Sequence, residues 1–356
     1  MARLKPMLLA LMVLPVLGTG SVMAQGSDME DKLKAAFAAG ELPGLHSVLV
    51  LRHGDVFAEV YFSGEDQAWG QPLGVQEHGP ETLHDIRSVT KSVVGLLYGI
   101  ALDEGLVPDL DESLVGQFPE YADLAGDPKR DAMTVADALT MQMGTDWDES
   151  LPYTDPRNSE IAMELADNRY RFILDRPMVH EPGTHWTYNG GATAIIAKLI
   201  ADGVGKPIDV YAKEKLFDPL GITGLHWAAG ADGVPSAASG LRLTTHGLAK
   251  IGHMVMEGGK ADGRQIVPEA WVEAMLRPHT NAEDLRYGHF WWLAPDGDPP
   301  IWVAGFGNGG QRLWINKQGG LVLVVYAGNY NQPDAWKVPV SVTLDFLLPA
   351  FGVHVR

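Results

Sequence analysis

The pattern of apolar and polar positions changes twice along the chain and predicts three stretches of different structure. In the first stretch, β-rich runs at 48–51 and 56–62 flank a polar turn at 53–55, which predicts a β-hairpin. A short helix is predicted at 31–39, where the apolar residues lie on one side. The segment 63–80 is polar and Gly-rich, so we expect a loop there.

Helical spacing predominates from about residue 86 to residue 280. The helix that follows Ser88 is the most apolar of these, and Gly105 lies where it is expected to stop. Because apolar residues occupy most of its surface, we expect this helix to be central. Further helices are predicted at 135–140, 161–173, 192–201, 208–216, 248–256 and 268–276.

Strand patterns return after residue 286. Runs at 290–293, 311–315 and 321–327 predict strands, and 340–348 predicts a closing helix. The pattern therefore predicts an α+β fold, in which an antiparallel β-sheet built from both chain ends is flanked by terminal helices and carries a large all-helical insertion. The expected lobes of this single domain are a sheet lobe at about 25–85 and 286–356 and a helical lobe at about 86–285.

The first residues have the composition of a targeting signal. Arg3 and Lys5 precede an apolar run at 7–17, and small or aliphatic residues end the segment at Ala24. This pattern predicts a signal peptide at 1–24 that is cleaved after Ala24, and hence a periplasmic or secreted protein. No other stretch is long enough to span a membrane, so we expect no membrane span after signal removal; an uncleaved anchor is the alternative.

Charge and cysteine content exclude several classes of function. The net charge of −18 becomes −20 when the predicted signal, which contains two basic residues and no acid, is removed. Such an acidic chain argues against nucleic acid as a partner and against binding to an anionic lipid surface. The chain contains no cysteine, which excludes disulfides and thiolate chemistry, so its stability must come from a core that 46% apolar residues can supply.

The candidate chemistry begins with Ser88-x-x-Lys91 at the start of the apolar helix. Residues three apart on a helix share a face, so a hydroxyl and an amine are expected to meet there. Ser88 is a candidate nucleophile, and Lys91 can accept its proton if burial and the helix dipole lower the pKa of that amine. The free N–H groups of the first helical turn can bind an oxyanion.

The segment 85–92 resembles the first motif of the serine β-lactamase and penicillin-binding-protein superfamily. It is most similar to the class C β-lactamase-like serine hydrolases, which include esterases and short-oligomer amide hydrolases. The other segments that resemble this branch occur in the family's order and span most of the chain: 99–105, 139–141, 188–191, 217–222 and 305–311.

The resemblance implies a second site element, a tyrosine followed two residues later by an asparagine. Tyr188 matches the tyrosine and is expected to act as the partner base. Gly190 occupies the asparagine position, and Asn189, displaced by one residue, is a candidate substrate-lining residue. Asp146-Trp147-Asp148-Glu149 and Tyr153 either line the pocket or form a solvated loop.

The third site element of the family is a Lys or His, one variable residue and then Gly, on a strand that lines the site. Here it reads Asn308-Gly309-Gly310, so these residues are expected to line the substrate but without a cation. The family geometry implies an oxyanion hole made from the backbone N–H groups of Ser88 and Gln311. Arg312 is not counted as a replacement cation, because alternation along a strand can direct it elsewhere.

These features together predict an exported serine hydrolase that acts through an acyl-enzyme on a small ester or amide. Because Asn308 lacks charge, the expected substrate is neutral or weakly charged and β-lactam hydrolysis is expected to be poor. No cofactor and no metal are expected, since there is no His-Glu-x-x-His and the histidines show no metal-ligand spacing. No Gly-x-Ser-x-Gly elbow occurs either. The alternatives are a β-lactamase or DD-peptidase, and a catalytically idle penicillin-binding-like recognition module.

Overall fold

The computed structural model describes residues 19–353 and contains one eight-stranded antiparallel sheet with the strand order β10-β11-β12-β13-β14-β15-β1-β2. Its strands are β1 (Leu45–Arg52), β2 (Asp55–Tyr61), β10 (Thr280–Ala282), β11 (Leu285–Tyr287), β12 (Trp292–Leu293), β13 (Val303–Gly307), β14 (Gln311–Asn316) and β15 (Leu321–Ala327). The last strand pairs with the first, Val325 opposite Val48, so both chain ends build the sheet as predicted.

Seven shorter strands form three small sheets. These strands are β3 (Ser63–Ala68) with β4 (Gln71–Glu77), β5 (His84–Asp85) with β6 (Leu225–Trp227) and β7 (Leu241–Leu243), and β8 (Lys260–Ala261) with β9 (Arg264–Gln265). The helical insertion therefore contains short strands that the sequence pattern does not reveal. The predicted division into a sheet lobe and a helical lobe stays a prediction.

The helices cover both faces of the main sheet. They are α1 (Thr19–Ala38), α2 (Val89–Asp103), α3 (Pro128–Ala132), α4 (Val135–Leu139), α5 (Ser159–Glu164), α6 (Arg169–Leu174), α7 (Gly190–Val204), α8 (Ile208–Ala212), α9 (Thr245–Met256), α10 (Glu269–Met275), α11 (Lys337–Ser341) and α12 (Leu348–Ala350). Short 3₁₀ segments occur at Val115–Gln117 and Pro119–Leu124, and π segments at Lys213–Phe217 and Val342–Leu347. None of the helices within residues 19–353 combines the length and the apolar character that a membrane crossing requires.

The sheet separates two hydrophobic cores. On one face, α1 and the C-terminal helices pack on side chains such as Val48, Val50 and Leu323. On the other face, α2 and α9 lie against the sheet, and α2 also contacts α7 and α10. Thirteen of the fifteen residues of α2 are buried, which confirms that the helix after Ser88 is central.

Several predicted elements have different bounds in the structure. The predicted loop at 63–80 is wrong, because it contains the β3–β4 hairpin, in which Asp66 alone is buried and the apolar signal of a strand is missing. The predicted helix at 161–173 is two helices, since Asn168 accepts a hydrogen bond from the Arg171 N–H and caps a new helix, α6. The predicted strand at 290–293 shrinks to β12, because Phe290 has a φ of 61°.

The terminal helices are longer than predicted. The N-terminal helix begins at Thr19 and continues through Ala24, where the sequence predicts signal cleavage. Ala24 is exposed, and the side chain of Met29 is buried in the core. The C-terminal helical region begins at Lys337 and includes a π segment. The structure does not describe residues 1–18, on which most of the predicted signal peptide falls.

Candidate active site

Ser88 is the N-cap residue of α2, and its side chain makes no capping hydrogen bond. The residue before it, Arg87, has a φ of 50°, which turns the chain sharply from β5 into the helix. The Thr90 hydroxyl donates to the Arg87 carbonyl at 2.6 Å and so supports this turn in place of Ser88. The Ser88 hydroxyl is therefore free to face the cavity that it lines.

Lys91 lies one helical turn after Ser88 and is almost completely buried, with 1% of its surface exposed. Its Nζ donates to Ser88 Oγ at 3.1 Å and to the Ala238 carbonyl at 2.9 Å. A third contact, at 3.3 Å, joins Nζ to Oε2 of Glu160, a carboxylate that is itself buried. The hydroxyl and the amine thus meet as the Ser-x-x-Lys spacing predicts, but with an acidic partner that the sequence analysis missed.

The carboxylate of Glu160 reverses the expected pKa of Lys91. Burial alone would lower the pKa of the amine, but attraction from Glu160, then from Tyr188 and Glu149, outweighs it and raises the pKa above its ordinary value. The condition under which Lys91 alone could accept the proton of Ser88, a lowered pKa, is therefore not met. Lys91 is an ammonium ion at rest, and it forms a buried ion pair.

Tyr188 comes from a distant part of the chain and lies beside the same ammonium group, with Lys91 Nζ 4.9 Å from the centre of its ring. The ring stacks on Trp292, with 5.9 Å between centroids. Burial raises the pKa of Tyr188, Lys91 lowers it and Glu149 raises it again, so the phenol is protonated at neutral pH. The fold brings together Ser88, Lys91 and Tyr188.

Asn189 does not lie where the sequence analysis places it. It is the N-cap of α7, its Oδ1 accepts the N–H of Ala192 at 3.0 Å, and its side chain is buried. It is also outside the set of residues that line the cavity. This amide therefore caps a helix, and its prediction as a substrate-lining residue is corrected.

The structure explains why glycine stands at position 190. A Cβ atom added there would overlap Oε2 of Glu160 and approach the Ala238 methyl group to 3.1 Å. The carboxylate of Glu160 thus occupies the space that a side chain at position 190 would need. No sequence signal marks Glu160, because it lies at the start of α5, 69 residues after Lys91.

Glu149 and Tyr153 belong to the buried site and not to a solvated loop. The carboxylate of Glu149 accepts hydrogen bonds from Trp147 Nε1 and the Gly190 N–H, both at 2.6 Å, and from the Tyr153 hydroxyl at 2.8 Å. Burial, reinforced by the charge of Glu160, raises the pKa of Glu149 to about 7. Tyr153 lines the cavity beside Tyr188. Besides Glu160, the site therefore holds a second carboxyl group, that of Glu149, and the pKa of this second group lies near neutrality.

The third motif lies in a turn and not on a strand. Asn308-Gly309-Gly310 joins β13 to β14, and both glycines have a φ above 90°, which favours glycine. The Asn308 amide is bonded to Asn331, because its Oδ1 accepts the Asn331 N–H at 2.9 Å and its Nδ2 donates to Asn331 Oδ1 at 3.3 Å. All three residues line the cavity, but the amide of Asn308 is already engaged.

Two backbone N–H groups are candidates for the second half of an oxyanion hole. Gln311 lines the cavity, lies opposite Gly307 in the β13–β14 pair, and bonds through its side chain to Ala327. The segment beside the start of α2 is β13, since a Cβ atom at Gly305 would lie 2.9 Å from Val89 Cγ1. A Cβ atom at Gly307 would overlap the carbonyl oxygen of Ile86. The N–H of Asn308, which follows Gly307, is thus a candidate beside that of Gln311.

The cavity next to Ser88 has a volume of about 420 Å³ and a largely aromatic wall that includes Trp292, Trp302, Phe306 and Trp336. One basic residue, Arg312, lines it among the described residues. Its guanidinium carbon lies 3.7 Å from the centre of the Phe306 ring, and among the described residues its buried Nε has no hydrogen-bond partner. Burial lowers the pKa of Arg312 to about 9, so the group remains a cation at pH 7.

Comparison with known proteins gives one family and several relatives. The protein-family model described as Beta-lactamase matches residues 29–335. The 6-aminohexanoate-dimer hydrolase of Paenarthrobacter ureafaciens is 26% identical over 346 residues, which cover 90% of this chain and 80% of that protein.

Solved structures share the fold at low sequence identity. A structure from Bacillus anthracis, provisionally described as a 6-aminohexanoate-dimer hydrolase, has a TM-score of 0.73 and 17% identity, and the match covers 90% of this chain and 82% of that one. A family VIII carboxylesterase has a TM-score of 0.66 and 18% identity over 90% of this chain and 97% of its own. These matches confirm the predicted α+β fold, with a sheet from both chain ends and a helical insertion.

Proposed function

The chain belongs to the beta-lactamase family, and on this premise we propose that it is a serine hydrolase that cleaves a small ester or amide through an acyl-enzyme on Ser88. The observation that carries the proposal is the position of Lys91 Nζ, which contacts Ser88 Oγ at 3.1 Å and Glu160 Oε2 at 3.3 Å. An amine placed between a hydroxyl and a carboxylate can receive one proton while it releases another.

Acylation follows from this geometry as a proton relay. Lys91 passes a proton to Glu160 as it takes the proton of Ser88, so Glu160 becomes neutral, Lys91 remains an ammonium ion, and the negative charge moves to the oxyanion as Ser88 Oγ attacks the carbonyl carbon. The tetrahedral oxyanion is bound by the N–H of Ser88 and by the N–H of Gln311 or Asn308. Tyr188, beside Lys91, protonates the leaving group and regains a proton from the relay.

Deacylation uses the same groups in reverse. After the leaving group departs, water enters the cavity, and as it attacks, its proton passes through Tyr188 and Lys91 to the carboxylate of Glu160, from which the same relay later returns it. The hydroxide attacks the acyl carbon, and the Ser88 oxygen leaves with a proton from Lys91. All steps use side chains and backbone groups that are already in place, and none calls for a cofactor.

The test is the hydrolysis of a p-nitrophenyl acyl ester by Ser88→Ala. We expect turnover to vanish while circular dichroism and the melting temperature stay close to those of the parent protein. Ser92→Ala is the matched control, because Ser92 is buried on the same helix and donates to the Phe290 carbonyl at 2.8 Å without lining the cavity. Activity retained in Ser88→Ala would refute the nucleophile.

The proposed substrate is a neutral or weakly charged ester or short amide, because the third motif carries Asn308 where the family has a cation. The relative from P. ureafaciens is named as a hydrolase of the 6-aminohexanoate dimer, so short amides belong in the substrate panel. Comparison of kcat/KM for a p-nitrophenyl ester and a cephalosporin tests this proposal. Cephalosporin turnover as efficient as that of a dedicated β-lactamase would reject it.

A second candidate, hydrolysis of a carboxylate-bearing β-lactam or peptide stem, is favoured by one observation. Arg312 lines the cavity as a cation without an acidic partner among the described residues, and a substrate carboxylate would satisfy it. Under this reading, Arg312→Met lowers kcat/KM for a cephalosporin at least tenfold more than for a neutral ester. Arg264→Met, an exposed change on β9, is the control. An equal effect on both substrates would exclude the second candidate.

We also propose that the protein is exported to the periplasm or beyond. The support is the sequence of residues 1–24, with its two basic residues and its apolar run, and the exposure of Ala24. Expression of the full chain in a bacterial host, followed by N-terminal sequencing, tests this. We expect the mature protein to begin at Gln25, whereas an intact N-terminus would contradict the proposal.

A further inference from the structure

A cluster of buried polar side chains lies behind the active site and has no role in the proposed reaction. It consists of His46 on β1, Asp66 on β3 and His78 just after β4, and we call these three residues the His46 cluster. One ligand atom from each lies within 4.8 Å of the others. His46 is fully buried, Asp66 is 5% exposed, and His78 is partly buried. The cluster joins the β3–β4 hairpin to the main sheet.

Hydrogen bonds fix the orientation of the free lone pair on His46. His84 Nδ1 lies 3.0 Å from the Asp85 carbonyl, which only accepts, so Nδ1 carries the proton. The other nitrogen of neutral His84, Nε2, must then accept from His46 Nδ1 at 2.9 Å. His46 Nε2 is therefore left with a bare lone pair.

Two other polar atoms of the His46 cluster also lack a partner, and the His46 and His78 rings are stacked with 4.0 Å between their centroids. Among residues 19–353, His46 Nε2, Asp66 Oδ2 and His78 Nε2 are buried atoms without a hydrogen bond. Asp66 Oδ1 is occupied, since it accepts from the Tyr330 hydroxyl at 3.0 Å. Three buried atoms without partners in one cluster are unusual, because each unsatisfied polar atom loses its hydrogen bonds to water on folding and gains none in return. A cation held among them would satisfy the three atoms together.

We propose that the His46 cluster binds one divalent transition-metal ion and that Zn²⁺ suits it best. Two imidazoles and one carboxylate are a ligand set that zinc takes readily, whereas Mg²⁺ and Ca²⁺ prefer oxygen ligands alone. Tetrahedral zinc places its ligand atoms roughly 3.3 Å apart, so binding draws the three side chains together by up to about 1.5 Å and tilts the stacked His46 and His78 rings. The hydrogen bond from His46 Nδ1 to His84 then orients the His46 ring towards the ion.

The proposed ion would stabilise the segment that precedes Ser88. Tyr330 joins the cluster to the active site, because its hydroxyl bonds to Asp66 and its ring lies close to Gly309 of the cavity wall. The guanidinium of Arg87, the residue before Ser88, lies 4.9 Å from the centre of the same ring. The effect expected from the metal is thus on stability first, and the site takes no part in bond cleavage.

The test uses the full chain, purified without a polyhistidine tag, stripped with a chelator and dialysed. Isothermal titration with Zn²⁺ and elemental analysis measure affinity and stoichiometry, and the visible spectrum with Co²⁺ reports the ligand geometry. We expect one ion per chain, a rise in melting temperature of about 3–6 °C at saturating zinc, and a tetrahedral Co²⁺ spectrum.

Two single substitutions isolate the site. Asp66→Asn keeps the shape and the Tyr330 contact but removes the charge, and His78→Gln changes a partly buried residue, so both are expected to fold. Each should weaken zinc binding at least 100-fold and abolish the tetrahedral Co²⁺ spectrum. The double variant His180→Ala/His185→Ala, at an exposed pair of neighbouring imidazoles, is the control and should bind as the parent does. Unchanged affinity in Asp66→Asn and His78→Gln, or no binding to the parent, would overturn the proposal.

Discussion

Glu160→Gln tests the buried ion pair on which the site depends. The substitution keeps the shape of the side chain and an oxygen that can accept from the Ser239 hydroxyl, now bonded at 2.8 Å, but it removes the charge that faces Lys91. Two unit charges 3.3 Å apart attract each other by about 5 kcal/mol at an effective dielectric constant of 20. Removing one partner of such a pair leaves an uncompensated charge, and the typical loss is about 3–5 kcal/mol of unfolding free energy.

The loss should depend on pH in a defined direction. In the parent protein the raised pKa of Lys91 contributes stability that is present below the unfolded pKa of about 10.4 and is lost as pH rises above it. Without Glu160, the pKa of Lys91 falls and the buried amine loses its proton at a lower pH than it does in the unfolded chain. The stability deficit of Glu160→Gln should therefore shrink as the pH is raised from 7 towards 10.

Urea unfolding at pH 7 and pH 9.5 measures both effects. The matched control is Glu164→Gln, on the same helix, whose buried carboxylate contacts Arg169 at 3.1 Å. Arg169 keeps a bidentate pair with Asp232, so the control should lose less stability and show no such pH dependence. In Glu160→Gln, kcat/KM should also fall about 100-fold, because the relay has lost its acceptor. A deficit below 1 kcal/mol that does not change with pH would refute the reasoning.

Three further predictions follow from individual residues. Gly190→Ala should lower kcat/KM at least tenfold, because the new methyl group displaces the Glu160 carboxylate. Gly116→Ala should not, because a Cβ atom there makes only an ordinary contact with Ser113 at 3.4 Å; ester hydrolysis by both variants checks this. The pKa of Glu149 is raised to about 7, so this group contributes stability that is present below pH 4.5 and lost as pH rises through 7. Between pH 5 and pH 8 the melting temperature of Glu149→Gln should therefore fall less than that of the parent protein. Equal slopes of melting temperature against pH would contradict this prediction. Asn168→Ala removes the α6 cap, so it should lower the free energy of unfolding in urea by about 1 kcal/mol and leave kcat unchanged. A change in kcat would disprove a purely structural role for Asn168.

Local patterns allow the sequence to predict the helix of Ser88 and the strands of the main sheet. Ser88 and Lys91 are three residues apart, so helix geometry alone brings them together, and β15 is a continuous apolar run that only a buried strand accommodates. The β3–β4 hairpin escapes prediction because it is mostly exposed, and an exposed hairpin of polar residues resembles a loop. The break between α5 and α6 depends on one capping asparagine within an apolar periodic stretch.

The electrostatics of the site depend on contacts that no local pattern contains. The pKa of Lys91 is raised by Glu160, which reaches it from another helix, so a rule based on burial alone gives the wrong direction. From the sequence, Gly190 indicates the loss of the family's asparagine. The structure shows that the Glu160 carboxylate occupies the space that a side chain at position 190 would need. Whether Arg312 faces the cavity or the core is likewise decided by the register of β14 against β13.

Active-site labelling tests the central claim most directly. A fluorophosphonate probe is added to the parent protein and to the Ser92→Ala and Ser88→Ala variants, and intact mass and peptide mapping locate the adduct. The account predicts a single adduct on Ser88 in the parent protein and in Ser92→Ala, and none in Ser88→Ala. An adduct on another residue, or no adduct on the folded parent protein, would contradict the account and favour the idle recognition module.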